Sequence, residues 1–139
     1  MSVNKENTGN NKVIKITSYD DFEKIKSDAE SNNQLMIADI NASWCKPCKT
    51  MKPIFYDLAG KYGDIIFLDI DIDENDELCD DLEVKKLPTF LFFKNNDEQK
   101  MELRKNDTLI GNCQDKLTKY VADHFKSKAV NEFCLDADF

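Results

Sequence analysis

"ASWCKPCKTMKP" (residues 42–53) sets two cysteines two residues apart, with a tryptophan before them and a proline between them. A CxxC pair can bind a metal, hold a fold together or exchange electrons, and the spacing by itself leaves all three open. The flanking sequence narrows the choice. Upstream, "LMIADIN" (35–41) is a mostly apolar run of strand length, as expected for a strand covered on both faces of a parallel sheet. Downstream, from Pro47 to about Tyr62, Met51, Ile54, Phe55, Leu58 and Ala59 recur at helical spacing, and Pro53 inside that stretch predicts a kink. The cysteines therefore lie where a buried strand ends and a helix begins, the edge of an open α/β sheet at which sites are usually built. Helix N-terminal amides stabilise a thiolate, so Cys45, expected at the exposed helix start, should lose its proton more easily than a free thiol. Cys48 falls one turn further in, within reach of a disulfide to Cys45, and Pro47 restricts the backbone between them.

The remaining pattern extends outward from this unit. Residues 1–11 are rich in Asn and Lys without apolar periodicity and read as a flexible tail, followed by one domain over 12–128 and a C-terminal extension over 129–139. "VIKI" (13–16) reads as a strand, and Ser18 with Asp21 resembles a capping box opening a helix with Phe22, Ile25 and Ala29 on one face. That helix should stop near "SNN" (31–33). "DIIFLDIDID" (64–73) predicts a strand, about 75–82 a short helix, and "TFLFFK" (89–94) another strand directly after Pro88. Residues 95–110 hold a hairpin and an edge strand whose register the pattern does not define. A closing helix from about Asn112 uses Leu117, Tyr120, Val121 and Phe125 as its buried face, with Asn112 and Asp115 suited to its start. Two βα units, a helix, a hairpin and a last helix predict an α/β domain, a central mixed β-sheet flanked by helices on both faces.

Composition excludes several classes of function. A chain of 139 residues can bury a core that stands without staples, and its five cysteines are an odd number scattered through ordinary apolar content. A reducing compartment is expected, and the cytoplasm in particular. "MSVNKENTGNNK" has no apolar signal core, and no window approaches the roughly 18 apolar residues of a membrane span. A net charge of −8 without a basic stripe argues against nucleic acid and membrane as partners. Asp69, Asp71 and Asp73 open like a calcium loop, but Glu74 stands where the turn needs Gly, and Asp80 where the loop needs Glu. No second CxxC or paired histidine completes a zinc site, His124 is far from the cysteines for a Cys/His hydrolase, and glycine is too scarce for a phosphate-cradling loop. No cofactor is expected in this chain.

"WCKPC" after "IADINAS", with "VKKLPTFLFF" (84–93) some forty residues later, resembles the thioredoxin family, and the resemblance spans about residues 13–126. It implies the thioredoxin fold and a dithiol that reduces protein disulfides. By it, Cys45 is the attacking thiolate, Cys48 resolves the mixed disulfide, and Asp39 is a buried carboxylate that takes the Cys48 proton through a water. A charge in the middle of an apolar strand is also unusual on physical grounds, since burial raises a carboxyl pKa toward neutrality. The alternative for Asp39 is a solvent-facing place on an edge strand.

The same resemblance makes Pro88 a cis-proline against the cysteines, leaving the Leu87 backbone to pair with a substrate strand; a trans proline that merely starts a strand is the alternative. Trp44 and Pro47 frame the pair, Trp44 either as an apolar surface beside Cys45 or as a core residue. Gly111 matches the glycine that lets a substrate backbone approach. Lys46 departs from the usual Gly of the family; its cation should favour the Cys45 thiolate and bias docking toward acidic partners. Asp69 stands where bacterial members carry a lysine, which likens the chain to eukaryotic members and should make Asp39 harder to ionise. An inserted stretch within 95–107 lengthens the hairpin. Cys79 is expected on a buried helix face, Cys113 at a helix start with mild activation, and Cys134 in the extension; Cys113 or Cys134 could be regulatory. The implied partners are a thioredoxin reductase and disulfide-bearing clients, with the chain itself a monomer. A disulfide oxidase or isomerase would want a less reducing pair and a secretory signal, and a binding module of another class, a thioredoxin-like adaptor or part of a chaperone, would use the same fold without turnover.

Overall fold

The computed structural model describes residues 13–124. The expected tail (1–11), the domain limits at 12 and 128, Phe125, Cys134 and the extension (129–139) lie outside the described residues. Six helix and strand units precede the cis-proline: β1 (Val13–Ile16), α1 (Tyr19–Ser31), β2 (Met36–Asn41), α2 (Lys46–Lys61), β3 (Ile66–Asp71) and the short α3 (Asp76–Asp81). After it come β4 (Thr89–Asn95), β5 (Met101–Leu103), a 3₁₀ turn (Lys105–Asp107), β6 (Leu109–Ile110) and α4, helical from 114 to the last described residue, 124.

Strand order is β1-β3-β2-β4-β5, with β6 also on β4. β1 and β2 run parallel to β3, while β4 runs antiparallel to β2, giving the expected mixed sheet. β2 is central, paired on both sides, so Asp39 is on no edge strand. Alternation along β2 and β3 divides their side chains between two layers. Ile37 and Phe67 pack with Met51, Phe55, Leu58, Leu117 and Val121 of α2 and α4; Ala38, Ile40, Leu68 and Ile70 pack with Phe22, Ala29 and Leu78 of α1 and α3. Phe55 is fully buried, with Phe67 and Phe90 at ring distances of 5.2 and 5.8 Å. Burying such a ring contributes about 1.5–3 kcal/mol, so this cluster anchors α2, and the cysteines it carries, to the sheet.

Local chemistry explains the boundaries. Ser18 caps α1 by accepting from the Asp21 amide at 3.1 Å, while the Asp21 carboxylate accepts from Thr17 Oγ1 rather than closing the box. Ile25 is partly buried against the α1 layer, as its spacing predicts. Three elements are shorter than the sequence pattern suggests: 66–71 instead of 64–73, 76–81 instead of 75–82, and a start at 36 instead of 35. α2 stays helical across Pro53.

The hairpin stretch resolves into a different arrangement from a lengthened turn. β4 and β5 meet through a tight turn in which Asn96 Oδ1 accepts from the Glu98 and Lys100 amides. The extra length lies further on: Leu103 pairs with Phe93 and Leu109 with Phe90, so six steps along the edge cover three along β4. The 3₁₀ turn takes up the surplus, so β5 and β6 are one edge strand interrupted by a bulge.

Candidate active site

Cys45 is the N-cap of α2, and its Sγ accepts from the Cys48 amide at 3.2 Å. Pro47, exposed within the first turn, costs no helical bond there because that amide would be unpaired in any helix. The two cysteines stand at disulfide distance, their Cα atoms 5.3 Å apart. Both are buried together with Ala42, against partly buried Ile72 and Leu87. The expectation of an exposed Cys45 is therefore corrected: it is 6% exposed, because its sulfur is turned back onto its own helix and roofed by Leu87 and Ile72. Lys46 is exposed.

The residues grouped around the pair come from four loops. The Leu87–Pro88 bond is cis, which excludes the strand-starting alternative for Pro88. Leu87 precedes β4 and lies outside every ladder, so its backbone groups are not consumed by the sheet. The Gly111 amide donates to the Pro88 carbonyl at 2.8 Å, fastening the turn before α4 to the proline loop. Gly111 has φ +85°, and a Cβ there would meet nothing within 4 Å; glycine is required by the backbone angle rather than by space. Trp44 is 68% exposed, which excludes a core role, and its Nε1 donates to Asp73 Oδ2 at 2.9 Å. Asp73 was visible in the sequence only as part of a false calcium loop, and a pairing across 29 residues left no local signal.

A buried polar cluster faces α2, the helix that carries Cys48, and is joined to it through Lys52 and Tyr56. Asp39 and Asn41 of β2 and Asp69 of β3 share the sheet face toward α2, and Asp39 stands opposite Asp69 in the parallel register. The Asn41 amide divides its hydrogens between the Asp39 backbone carbonyl (3.1 Å) and Asp69 Oδ1 (2.8 Å). Asp69 Oδ2 accepts from Tyr56 Oη at 2.6 Å and Lys52 Nζ at 3.2 Å. Neither carboxylate oxygen of Asp39 has a donor among the described residues.

The two acids consequently part company. Burial first, and the Asp69 charge second, push Asp39 up to about 7. Burial acts on Asp69 as well, but the donors Tyr56, Asn41 and Lys52 outweigh it and hold that carboxyl below its usual value. Asn41, Lys52 and Tyr56 escaped the sequence reading, since a polar residue on a mostly apolar element carries no mark of its distant partner. Asp69 was legible only as an acid in an unusual place.

Among the other cysteines, Cys79 is buried as expected and its thiol is pushed up to about 11. Cys113 directly precedes α4 and is half-buried. Its expected activation is not found: burial first raises its pKa, and Asp39 adds to this against the lowering effect of Lys116.

The chain matches the family model for thioredoxin over residues 13–123. Its sequence is 42% identical over 84 residues to a chicken (Gallus gallus) thioredoxin, covering 60% of this chain and 77% of that one. With human thioredoxin the identity is 44% over 64 residues, covering 46% and 61%. A mouse thioredoxin domain-containing protein 2 is 40% identical over 83 residues, and there the match spans 60% of this chain but 16% of that much longer protein. Among solved structures, a thioredoxin from Nicotiana alata superposes with a TM-score of 0.72 at 29% identity, covering 84% and 96% of the two chains. A poplar thioredoxin h mutant gives 0.76 at 26% identity, covering 84% and 85%. Because the match runs unbroken from β1 through the cysteine pair and the cis-proline into α4, the protein belongs to the thioredoxin family and carries the cysteine pair of a thiol-disulfide oxidoreductase.

Proposed function

We propose that this chain reduces disulfides of client proteins, with Cys45 as nucleophile, Cys48 as the resolving thiol and Asp39 as the base that serves Cys48. The observation that carries the reading is the cysteine pair at disulfide distance on a helix start, with Asp39 buried on the sheet face toward that helix and without a donor among the described residues. In the reduced protein, the Cys45 thiolate attacks one sulfur of the client cystine. A Cys45–client S–S bond forms, the client S–S bond breaks, and the second client sulfur leaves as a thiolate that takes up a proton. Cys48 then gives its proton to Asp39 and attacks Cys45 Sγ. The Cys45–Cys48 bond forms, the mixed disulfide breaks, and the first client sulfur departs as a thiolate that takes up a proton. Two electrons pass from the dithiol to the client.

A carboxyl poised near neutrality suits the Cys48 step, because it can accept a proton without being ionised at every pH. Trp44, Lys46, Pro47, Leu87, Pro88 and Gly111 form the client-binding surface, with the free Leu87 backbone offered to an extended segment. The spent disulfide is returned to the dithiol by a separate reductase, thioredoxin reductase by the family resemblance. A monomer in the reducing cytoplasm is the state and place assumed, and the unpaired Cys79 and Cys113 among the described residues suit a reducing compartment. No helix among the described residues is long and apolar enough to cross a membrane.

The test is a pair of variants incubated with cell extract and run on gels without reductant. Cys48→Ser should stall as higher-mass adducts that dithiothreitol removes, because a serine hydroxyl cannot displace the bound thiol; Cys45→Ser should trap almost nothing. Equal trapping by both overturns the assigned order of attack, and trapping by neither, together with no insulin reduction by the unaltered protein, would leave a binding module.

A further inference from the structure

A shallow cavity of about 460 Å³ opens beside Cys45. Trp44, Ile72 and Leu87 supply its apolar surface, and among the described residues its charged walls are Lys46, Lys85 and Lys86, with no acidic side chain. All three lysines are exposed, and none is in an ion pair with another described residue. Asp73, which borders the site, spends a carboxylate oxygen on Trp44. A chain of net charge −8 thus gathers three unpaired cations on the surface where a client must dock.

We infer that the natural clients of this surface present acidic side chains within a few residues of the cystine they offer to Cys45. This rests on the reductase reading and names its substrate class. The geometry divides the labour: the apolar wall accepts the disulfide itself, and the lysines, contributed by two separate loops, line the same cavity. Lys46 belongs to the active-site turn, whereas Lys85 and Lys86 precede the cis-proline. A segment seated over Cys45 would meet positive charge from both loops. Because all three groups are solvated, they act chiefly on encounter and orientation rather than on the bond exchange. One exposed pair of charges changes an equilibrium by roughly 1.4- to 5-fold, and three in concert give about tenfold. Screening adds a signature. At about 0.1 M salt the Debye length is about 10 Å, so a client feels the local lysines more than the distant acidic surface.

Three peptides carrying one identical intramolecular disulfide, flanked by Glu, Gln or Lys, would be reduced by the dithiol protein, with neutral 2-hydroxyethyl disulfide as a fourth substrate. In about 0.1 M salt the Glu peptide should react about tenfold faster than the Gln peptide, and the Lys peptide slower still. The Glu-to-Gln ratio should fall toward one in about 1 M salt, and to about two or three in a K85Q/K86Q double variant. Equal rates for all three peptides, with 2-hydroxyethyl disulfide reduced, would overturn the acidic preference and leave the reductase reading standing. A Glu-to-Gln ratio that stays near tenfold in the double variant would overturn the role given to these lysines. Reduction of none of the four substrates would remove the reductase reading and this inference with it.

Discussion

Replacing Asp39 by Asn asks what the buried carboxyl costs and what it does. In the native state Asp39 keeps its proton until about pH 7, against an ordinary value of 3.8. Between these values the folded chain binds more protons than the unfolded one, so stability falls as pH rises through the window and levels off above it. The rise of about three units, at about 1.4 kcal/mol each, corresponds to about 4 kcal/mol lost by pH 8. Asparagine is neutral at every pH and meets the same donor-poor pocket as the protonated acid. Urea unfolding of the oxidised proteins should therefore show almost no difference at pH 4 and a variant more stable by up to about 4 kcal/mol at pH 8. Kinetics supply the second arm. Release of a client from its mixed disulfide should accelerate with pH through about 7 in the unaltered protein, and that midpoint should vanish in Asp39→Asn with a slower rate throughout. A gain in stability that does not depend on pH, or a loss at every pH, would show that Asp39 is a structural hydrogen-bonding residue and would refute the reasoning.

Two further substitutions probe neighbouring features. Tyr56→Phe removes the 2.6 Å donor to Asp69 and should cost about 1–3 kcal/mol by thermal unfolding above pH 5, where Asp69 is charged; a loss below about 0.5 kcal/mol would mean Asn41 and Lys52 suffice. Gly111→Ala should cost about 1–2 kcal/mol although no atom is in the way, because only the φ of +85° resists it; an unchanged melting temperature would show that the turn relaxes freely.

What the sequence carried was short-range. The apolar run of β2, the helical spacing after Pro47 and the Ser18 cap are each decided within a few residues, and each is found where the pattern places it. Asp39 was visible as a charge inside such a run. The supports of the site were not, because they are pairings between elements: Trp44 with Asp73, Asn41 and Tyr56 with Asp69. Neither member of such a pair is unusual alone. The burial of Cys45 likewise depends on Leu87 and Ile72, brought over it from two other parts of the chain. The edge strand failed for a different reason, since three surplus residues break the period-two pattern from which register is read.

That bulge bears on how the protein behaves when crowded. A long open sheet edge invites a strand from another molecule, the first step toward aggregation. Here β5 offers three residues and β6 two, out of register with each other, and the Met101 amide is already held by the Glu30 carboxylate at 2.8 Å. A foreign strand would find no continuous row of donors and acceptors to follow. Deleting the three surplus residues would join β5 to β6 into one straight edge, and the chain that gained regularity would be the one that precipitates.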